Sequence, residues 1–149
     1  MIKKNIIVIF LIIFLNSCGF TPIYLKKNDV QFSIEQVNYS GDRDLNNFLK
    51  INLEQYKNEK IKNKISIDVK STYEKMILSK DRTGEVTNYQ LEAEVIFIIK
   101  SNNKEIQIIE KKIIDAMDDK FEEARYERII KQNFASSITN KLISELIIN

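Results

Sequence analysis

The chain has 149 residues, with 23 lysines and arginines, 21 aspartates and glutamates, no histidine and one cysteine. The lack of histidine excludes serine–histidine and cysteine–histidine catalytic sites, and one cysteine excludes an intrachain disulfide. The near balance of charge gives no argument for a nucleic-acid partner, so none is expected.

The first 17 residues have the features of a lipoprotein signal peptide. Lys3 and Lys4 form a basic start, and the apolar run over residues 6–15 is shorter than the roughly 20 residues that span a bilayer. The run ends at Leu15-Asn16-Ser17-Cys18. An aliphatic residue, two further residues and a cysteine form the pattern that bacterial lipoprotein processing recognises. We therefore predict cleavage after residue 17 and lipid attachment at Cys18. An ordinary cleaved signal and an uncleaved anchor are the alternatives.

Residues 18–29 are predicted to form a lipidated tether, followed by a single domain over residues 30–149. Removal of the leader takes away two of the 23 basic residues, so 21 positive charges balance 21 negative ones in the mature chain. The tether contains Phe20, Ile23 and Tyr24, whereas a pure linker is typically rich in glycine and serine. Packing of this stretch against the domain or a partner, and a disordered linker, are equal alternatives.

The segment over residues 30–56 predicts a strand and a helix. Apolar residues alternate from residue 30 to 39, with an irregularity after Ile34. Asp42 follows a turn and is suited to cap a helix. That helix has a polar side, on which we place Asn46, and an apolar side with spacings of three and four. The apolar side comprises Leu45, Phe48, Leu49, Leu53 and Tyr56.

Residues 65–73 alternate between apolar and polar side chains, which predicts an antiparallel strand with one buried face and one wet face. The apolar residues change parity at Met76 and Leu78. Either a bulge re-aims the strand at this point, or this end of the strand meets a partner on its outer face.

A hairpin is predicted at Asp81-Arg82-Thr83-Gly84, because aspartate suits the first position of a type I turn and Gly84 supplies a positive φ. Tyr89 to Ile99 forms the return strand, and a third consecutive strand runs from Ile106 to about Ile114. These three strands form a meander.

Asp119 and Glu122 have the spacing of a capping box at the start of a last helix. Glu127 and Lys131 are expected to pair along that helix. Its apolar stripe is predicted to face the sheet. The stripe comprises Phe121, Ala124, Ile130, Phe134, Ile138, Leu142 and Leu146, broadened by Ile129, Ala135, Ile143 and Ile147.

The order β-α-β-β-β-α indicates an α+β fold with two helices packed on one face of a four-stranded sheet. The sequence contains no catalytic triad, metal-binding cluster or phosphate-binding glycine loop, so we expect neither an enzyme nor a cofactor. Lys80 and Arg82 flank the hairpin turn. Such residues usually form a solvated charged turn. The more specific hypothesis is a cationic tip that contacts lipid phosphate or acidic residues of a partner.

Four segments together carry a family resemblance: Cys18 to Tyr24, Asp42 to Leu49, the turn 81–84 with Asn88 to Leu91 behind it, and Phe121 to Ala124. In these segments and in element order the chain resembles the LPS-assembly lipoprotein family (LptE), in an alphaproteobacterial-like form. The resemblance covers nearly the whole mature chain.

The resemblance implies a non-catalytic lipoprotein on the periplasmic side of the outer membrane. Such a protein plugs the β-barrel LPS translocon (LptD), helps that barrel assemble and contacts lipopolysaccharide (LPS). The family fold has two helices on a four-stranded sheet, and its LPS-contacting basic residue lies at the hairpin tip, where Arg82 stands here with Lys80 beside it. Gly19 is compatible with sorting to the outer membrane, since the usual retention signal is aspartate at that place.

The alternative function is a ligand-binding lipoprotein that carries a lipid or peptide between its helices and its sheet. That function predicts a sizeable internal apolar cavity, whereas a plug predicts a solid core.

Overall fold

The computed structural model describes residues 31–148; Cys18 and the predicted tether lie outside them. The predicted α+β fold and its element order are confirmed. The elements are β1 (Ser33–Gly41), α1 (Arg43–Glu54), β2 (Lys64–Lys80), β3 (Val86–Ile99), β4 (Lys104–Asp115) and α2 (Lys120–Ile148).

The four strands form one sheet in the order β1-β2-β3-β4. The meander β2-β3-β4 is antiparallel, as its short connections require, while β1 runs parallel to β2 because α1 forms the crossover between them. The β1–β2 register shifts between Ile34 and Gln36. This shift is the irregularity predicted after Ile34.

Both helices pack on the same face of the sheet, and the core lies between the helices and the sheet. α1 packs against β1, β2 and α2, while α2 packs mainly on α1 and β4. A fully buried aliphatic or aromatic side chain contributes about 1.5–3 kcal/mol to folding before ordering costs. The largest fully buried side chains are Phe97, Ile34, Leu45, Leu49, Leu53, Ile67, Leu91, Ile138, Leu142, Ile143, Val69 and Val95.

Asp42 caps α1 as predicted: its Oδ1 accepts a hydrogen bond from the backbone N–H of Leu45 at 2.7 Å. The placement of Asn46 on the exposed side of α1 was wrong. Asn46 is buried because its side-chain amide donates to the carbonyl oxygen of Ser40 at 3.1 Å, which ties α1 back to the end of β1.

Asp119 caps α2, accepting hydrogen bonds from the backbone N–H groups of Phe121 and Glu122. The stripe from Ile130 to Leu142 is buried as predicted. The prediction of a buried stripe was wrong at the first turn of α2, where Phe121 is 75% exposed and Ala124 is also exposed. Ile129 and Ile147, expected to widen the buried face, are exposed as well.

Over residues 31–148, neither helix combines the length and the apolar character needed to cross a lipid bilayer.

Candidate functional site

The β2–β3 hairpin carries the two cations singled out in the sequence. Its ladder runs from the pair Ile67–Ile99 to the pair Lys80–Val86. The first turns of α2 reach β2 at Lys75, and β2 continues to Lys80, about 16 Å of extended chain beyond that contact. We refer to residues 76–88 as the hairpin tip.

Asp81 holds the turn of the hairpin tip in one conformation. Its Oδ1 accepts hydrogen bonds from the Thr83 hydroxyl at 2.7 Å, from the Thr83 N–H at 2.8 Å and from the Glu85 N–H at 2.9 Å. These bonds, that of the Thr83 hydroxyl foremost, lower the pKa of Asp81. Gly84 has φ of +90°, as the predicted turn requires. The backbone from which the cations project is therefore well defined.

Lys80 and Arg82 are both exposed at this turn. Within residues 31–148 neither side chain has an ion pair or a side-chain hydrogen bond, whereas the neighbouring Asp81 carboxylate is engaged by the turn. The charges of the two cations are thus available to a ligand. Arginine can grip a phosphate or carboxylate with two parallel hydrogen bonds.

An apolar strip precedes the cations along β2. Met76, Ile77 and Leu78 are each more than a third exposed. The register holds through Ile77 and shifts between Ile77 and Ser79. The bulge, one of the two alternatives, is therefore present, but it comes after Met76 and leaves Met76 exposed. An exposed apolar strip beside free cations suits an amphiphile with an anionic head group, or a protein surface of the same character.

An ionic cluster that the sequence did not reveal joins the base of the hairpin tip to α2. Lys75 Nζ lies 2.9 Å from Glu123 Oε1 and 2.9 Å from Glu127 Oε2, and 4.4 Å from the centre of the Tyr89 ring. Burial acts to lower the pKa of Lys75, but the two carboxylates outweigh it and raise the pKa. The cluster fixes the position of α2 against the hairpin.

Glu123 is the most buried member of this cluster, at 5% exposure. Its carboxylate accepts a hydrogen bond from the Met117 N–H at 3.0 Å and lies 3.1 Å from Lys120 Nζ. The Met117 bond first, and then Lys75, lower the pKa of Glu123 to about 2. These partners explain why the first turn of α2 turns Glu123 inward and leaves Phe121 exposed.

The predicted pairing of Glu127 with Lys131 was wrong, because each finds its partner on another element. Lys131 Nζ lies 3.5 Å from Asp42 Oδ2 and 3.8 Å from the centre of the Tyr73 ring. Burial foremost, and then the nearby Glu127 carboxylate, raise the pKa of Tyr73. The buried Tyr73 hydroxyl nevertheless makes no hydrogen bond of good geometry within the described residues.

Two sequence signals could have revealed the cluster. Lys75 continues the inward parity of residues 65–73, so a charge at that place needs a buried partner. Glu123 and Glu127 are four residues apart and share one helix face. Matching the two required knowing that α2 packs beside β2, which only the fold provides.

Among residues 31–148, no group of three or more histidine, cysteine, aspartate or glutamate side chains could hold a metal ion. The chemistry that these residues offer at the hairpin tip is binding by charge and apolar contact.

Solved structures with a similar fold include those of three lipoproteins. Rare lipoprotein B from Shewanella oneidensis is 12% identical, with a TM-score of 0.53 over 75% of this chain and 93% of that one. An uncharacterized lipoprotein B from Nitrosomonas europaea is 18% identical, with a TM-score of 0.53 over 76% and 83% of the two chains. A minor lipoprotein from Acinetobacter baumannii is 17% identical, with a TM-score of 0.51 over 74% and 93%. At these identities the likeness shows a shared fold.

No protein-family model matches the chain, and no curated protein sequence matches it. What the comparisons establish is therefore the α+β fold that this chain shares with those three structures.

Proposed function

We propose that this chain is a lipid-anchored outer-membrane protein of LPS assembly. It would plug and assist assembly of the β-barrel LPS translocon, and would contact LPS on its way to the cell surface. The observation that carries the proposal is the hairpin tip, where the exposed apolar strip Met76 to Leu78 adjoins the uncompensated Lys80 and Arg82. The fold supports it, since the three similar structures are all of lipoproteins.

The proposed layout follows the sequence: a signal peptide over residues 1–17, a lipidated tether over 18–29 and one domain over 30–149. Acyl chains on Cys18 hold the protein on the periplasmic side of the membrane, since each buried CH₂ contributes about 0.8 kcal/mol and several chains make the attachment effectively permanent. The role is non-catalytic and uses no cofactor.

The proposed ligand at the hairpin tip is the phosphorylated lipid A part of LPS. Its phosphates suit the guanidinium of Arg82 and the ammonium of Lys80, and its acyl chains suit the apolar strip. Arg82 is the better anchor of the two, because a guanidinium forms two parallel hydrogen bonds with one phosphate.

The packing of the core favours a plug over the alternative, a carrier with a cavity between helices and sheet. Leu45, Leu49, Phe97 and Leu142 have no exposed surface and fill the interior between helices and sheet, where a carrier would enclose its ligand. Affinity purification from detergent-solubilised membranes tests the plug: a large β-barrel protein should co-purify. Isolation of the protein by itself, together with normal LPS export in its absence, would refute it.

Charge reversal at the hairpin tip tests the ligand. We expect Arg82→Glu to weaken the binding of phosphorylated lipid A about tenfold or more, because it replaces a charge-assisted hydrogen bond with repulsion. The matched control is Lys60→Glu, an exposed cation in the α1–β2 loop, which should leave the Kd within about twofold. Equal effects of the two reversals in a lipid A titration would remove Arg82 from the site.

Removal of the acylated cysteine tests the anchor. Cys18→Ala should move the protein from the membrane fraction to the soluble fraction, because the acyl chains are lost. As a control, Gly19→Asp should stay in the membrane but shift to the inner-membrane fraction. A Cys18→Ala variant that sediments with the membrane like the wild type would refute the lipid anchor.

A further inference from the structure

A groove of about 1080 Å³ runs along one edge of the sheet, between β4 and the C-terminal half of α2. β4 is the last strand of the sheet and is hydrogen-bonded to β3 on one side. The other side of an edge strand presents unpaired N–H and C=O groups, which are a template for a further strand. The lining residues from β4 are Lys104 to Ile109, and those from α2 are Ser137, Asn140, Lys141, Ser144 and Glu145.

The groove is open at the end where β4 begins, near Lys104, and closed beyond Ile109. We call these its lower and upper ends. Glu110 Oε1 accepts a hydrogen bond from the Ser137 hydroxyl at 2.5 Å and lies 2.7 Å from Lys141 Nζ. These two contacts bridge β4 and α2 just above Ile109. The accessible strip of β4 is therefore its first six residues, about 20 Å long.

The described chain begins beside the open end of this groove. Tyr56, at the end of α1, lines the groove, and its carbonyl oxygen accepts a hydrogen bond from the Ile34 N–H at 3.1 Å. Phe32, two residues earlier, is buried in the core. The residues ahead of it therefore leave the domain at the same end of the sheet at which the groove opens.

We propose that the groove is the docking site of residues 19–25 of the same chain, which add a fifth strand antiparallel to β4. This segment is Gly-Phe-Thr-Pro-Ile-Tyr-Leu, the apolar part of the tether, whose composition the LPS-assembly role leaves unexplained. Residues 26–30, polar apart from Val30, make the connection. Four interstrand spacings separate β1 from a strand added beyond β4, about 19 Å, and the six extended steps from residue 25 to residue 31 reach about 20 Å.

The direction and the sequence of the segment both fit the groove. In chain order, residues 19–25 would run towards the end of the sheet at which β4 begins and the chain would then cross to β1. The segment would therefore lie antiparallel to β4, which continues the pattern of the meander. Pro22 is tolerated because it would sit in an edge strand, where one side of the backbone needs no partner. Apolar side chains of the segment would cover Tyr56 and the exposed Ile109. The inference goes beyond the proposed function, since it concerns how the domain holds its own anchored end.

Thiol cross-linking in the full-length protein tests the proposal. Ile23→Cys is combined either with Gln107→Cys on β4 or with Lys70→Cys on β2, and each purified variant is treated with a short bismaleimide. Gln107 and Lys70 are both exposed. Each is the pairing partner of Ile96 on β3, so the two lie at the same level along the strands and on the same face of the sheet. Lys70 lies two strands closer to β1 than Gln107 does. A segment that is not docked would therefore cross-link more readily at position 70 than at position 107.

We expect the Gln107 pair to give at least tenfold more intrachain product than the Lys70 pair. Equal yields, or an excess with Lys70, would overturn the proposal. A product joining two molecules through the Gln107 position would assign the groove to a second copy and would also overturn it. Mass mapping of the linked peptides identifies the joined positions whether or not Cys18 is acylated, so a failed lipid anchor and a failed docking are told apart.

Hydrogen exchange gives a second, independent readout. The triple variant Phe20→Ser, Ile23→Ser and Tyr24→Ser should raise the exchange of outward-facing amides in Lys104–Ile109 about tenfold, because the covering strand is lost. The control triple Lys26→Ser, Lys27→Ser and Asp29→Ser should leave those amides unchanged. Identical exchange in the two triples would contradict the docking.

Discussion

Gly41→Ala should destabilise the domain by about 3 kcal/mol or more, the largest effect we expect from a single methyl group. Gly41 has φ of +98°, and a Cβ at this residue would lie 1.8 Å from the carbonyl oxygen of Ser71. That oxygen belongs to the β2 backbone and accepts a hydrogen bond from the Asp42 N–H at 3.1 Å. The clash cannot be relieved by a side-chain rotation, so either β1 separates from β2 or the cap of α1 moves.

Gly84→Ala is the matched control for this prediction. Gly84 has a similar φ of +90°, but nothing lies within 4 Å of the place its Cβ would occupy. Only the left-handed backbone then costs energy, about 1 kcal/mol. The measurement is the free energy of unfolding from chemical denaturation of both variants. A Gly41→Ala variant no less stable than Gly84→Ala would show that the close approach to Ser71 is wrong.

Lys75→Met is expected to cost about 3 kcal/mol, because it leaves two largely buried acidic side chains without their main cation. Methionine keeps the apolar stem that covers Tyr89, so the loss reports the charge rather than the packing. The control is Lys111→Met, which removes an exposed cation that pairs with the partly buried Glu92 and should cost less than about 1 kcal/mol. Urea denaturation at pH 7 compares them, and similar losses would mean that the Lys75 cluster is an ordinary surface feature.

The same cluster predicts how stability depends on pH. The pKa of Glu123 is about 2 in the folded chain and 4.5 ordinarily, so its contribution is complete above pH 4.5 and is lost as the pH falls towards 2. Wild-type stability should therefore drop by on the order of 2 kcal/mol over that window on account of this group. Glu123→Gln should show a shallower fall between pH 4.5 and 2. An unchanged slope would assign the acid sensitivity to other carboxylates.

The sequence predicted the features that depend on neighbouring residues. Alternation over residues 65–73 predicted which side chains of β2 face the core, and Asp42 and Gly84 predicted a cap and a turn from their own chemistry. The turn also located Lys80 and Arg82, because a hairpin tip is defined by a few consecutive residues.

The remaining features depend on residues far apart in the chain. Glu123 faces inward because Lys75, 48 positions earlier, needs a carboxylate, and no helical periodicity contains that information. Asn46 was placed in solvent because asparagine usually is, whereas the Ser40 carbonyl bonds it. The groove beside β4 exists because α2 crosses the sheet at that edge, which the order of elements leaves open.

The parallel pairing of β1 has a mechanical consequence under the proposed anchoring of the chain at Cys18. The chain enters the domain through β1, which registers with β2 from Ser33–Lys64 to Gly41–Ser71. A pull along the strand from the membrane side would load this ladder in shear, so that its hydrogen bonds share the force instead of opening one after another. Under the proposed docking, residues 19–25 would detach from β4 first, and the β1–β2 ladder would then carry the tension along its whole length.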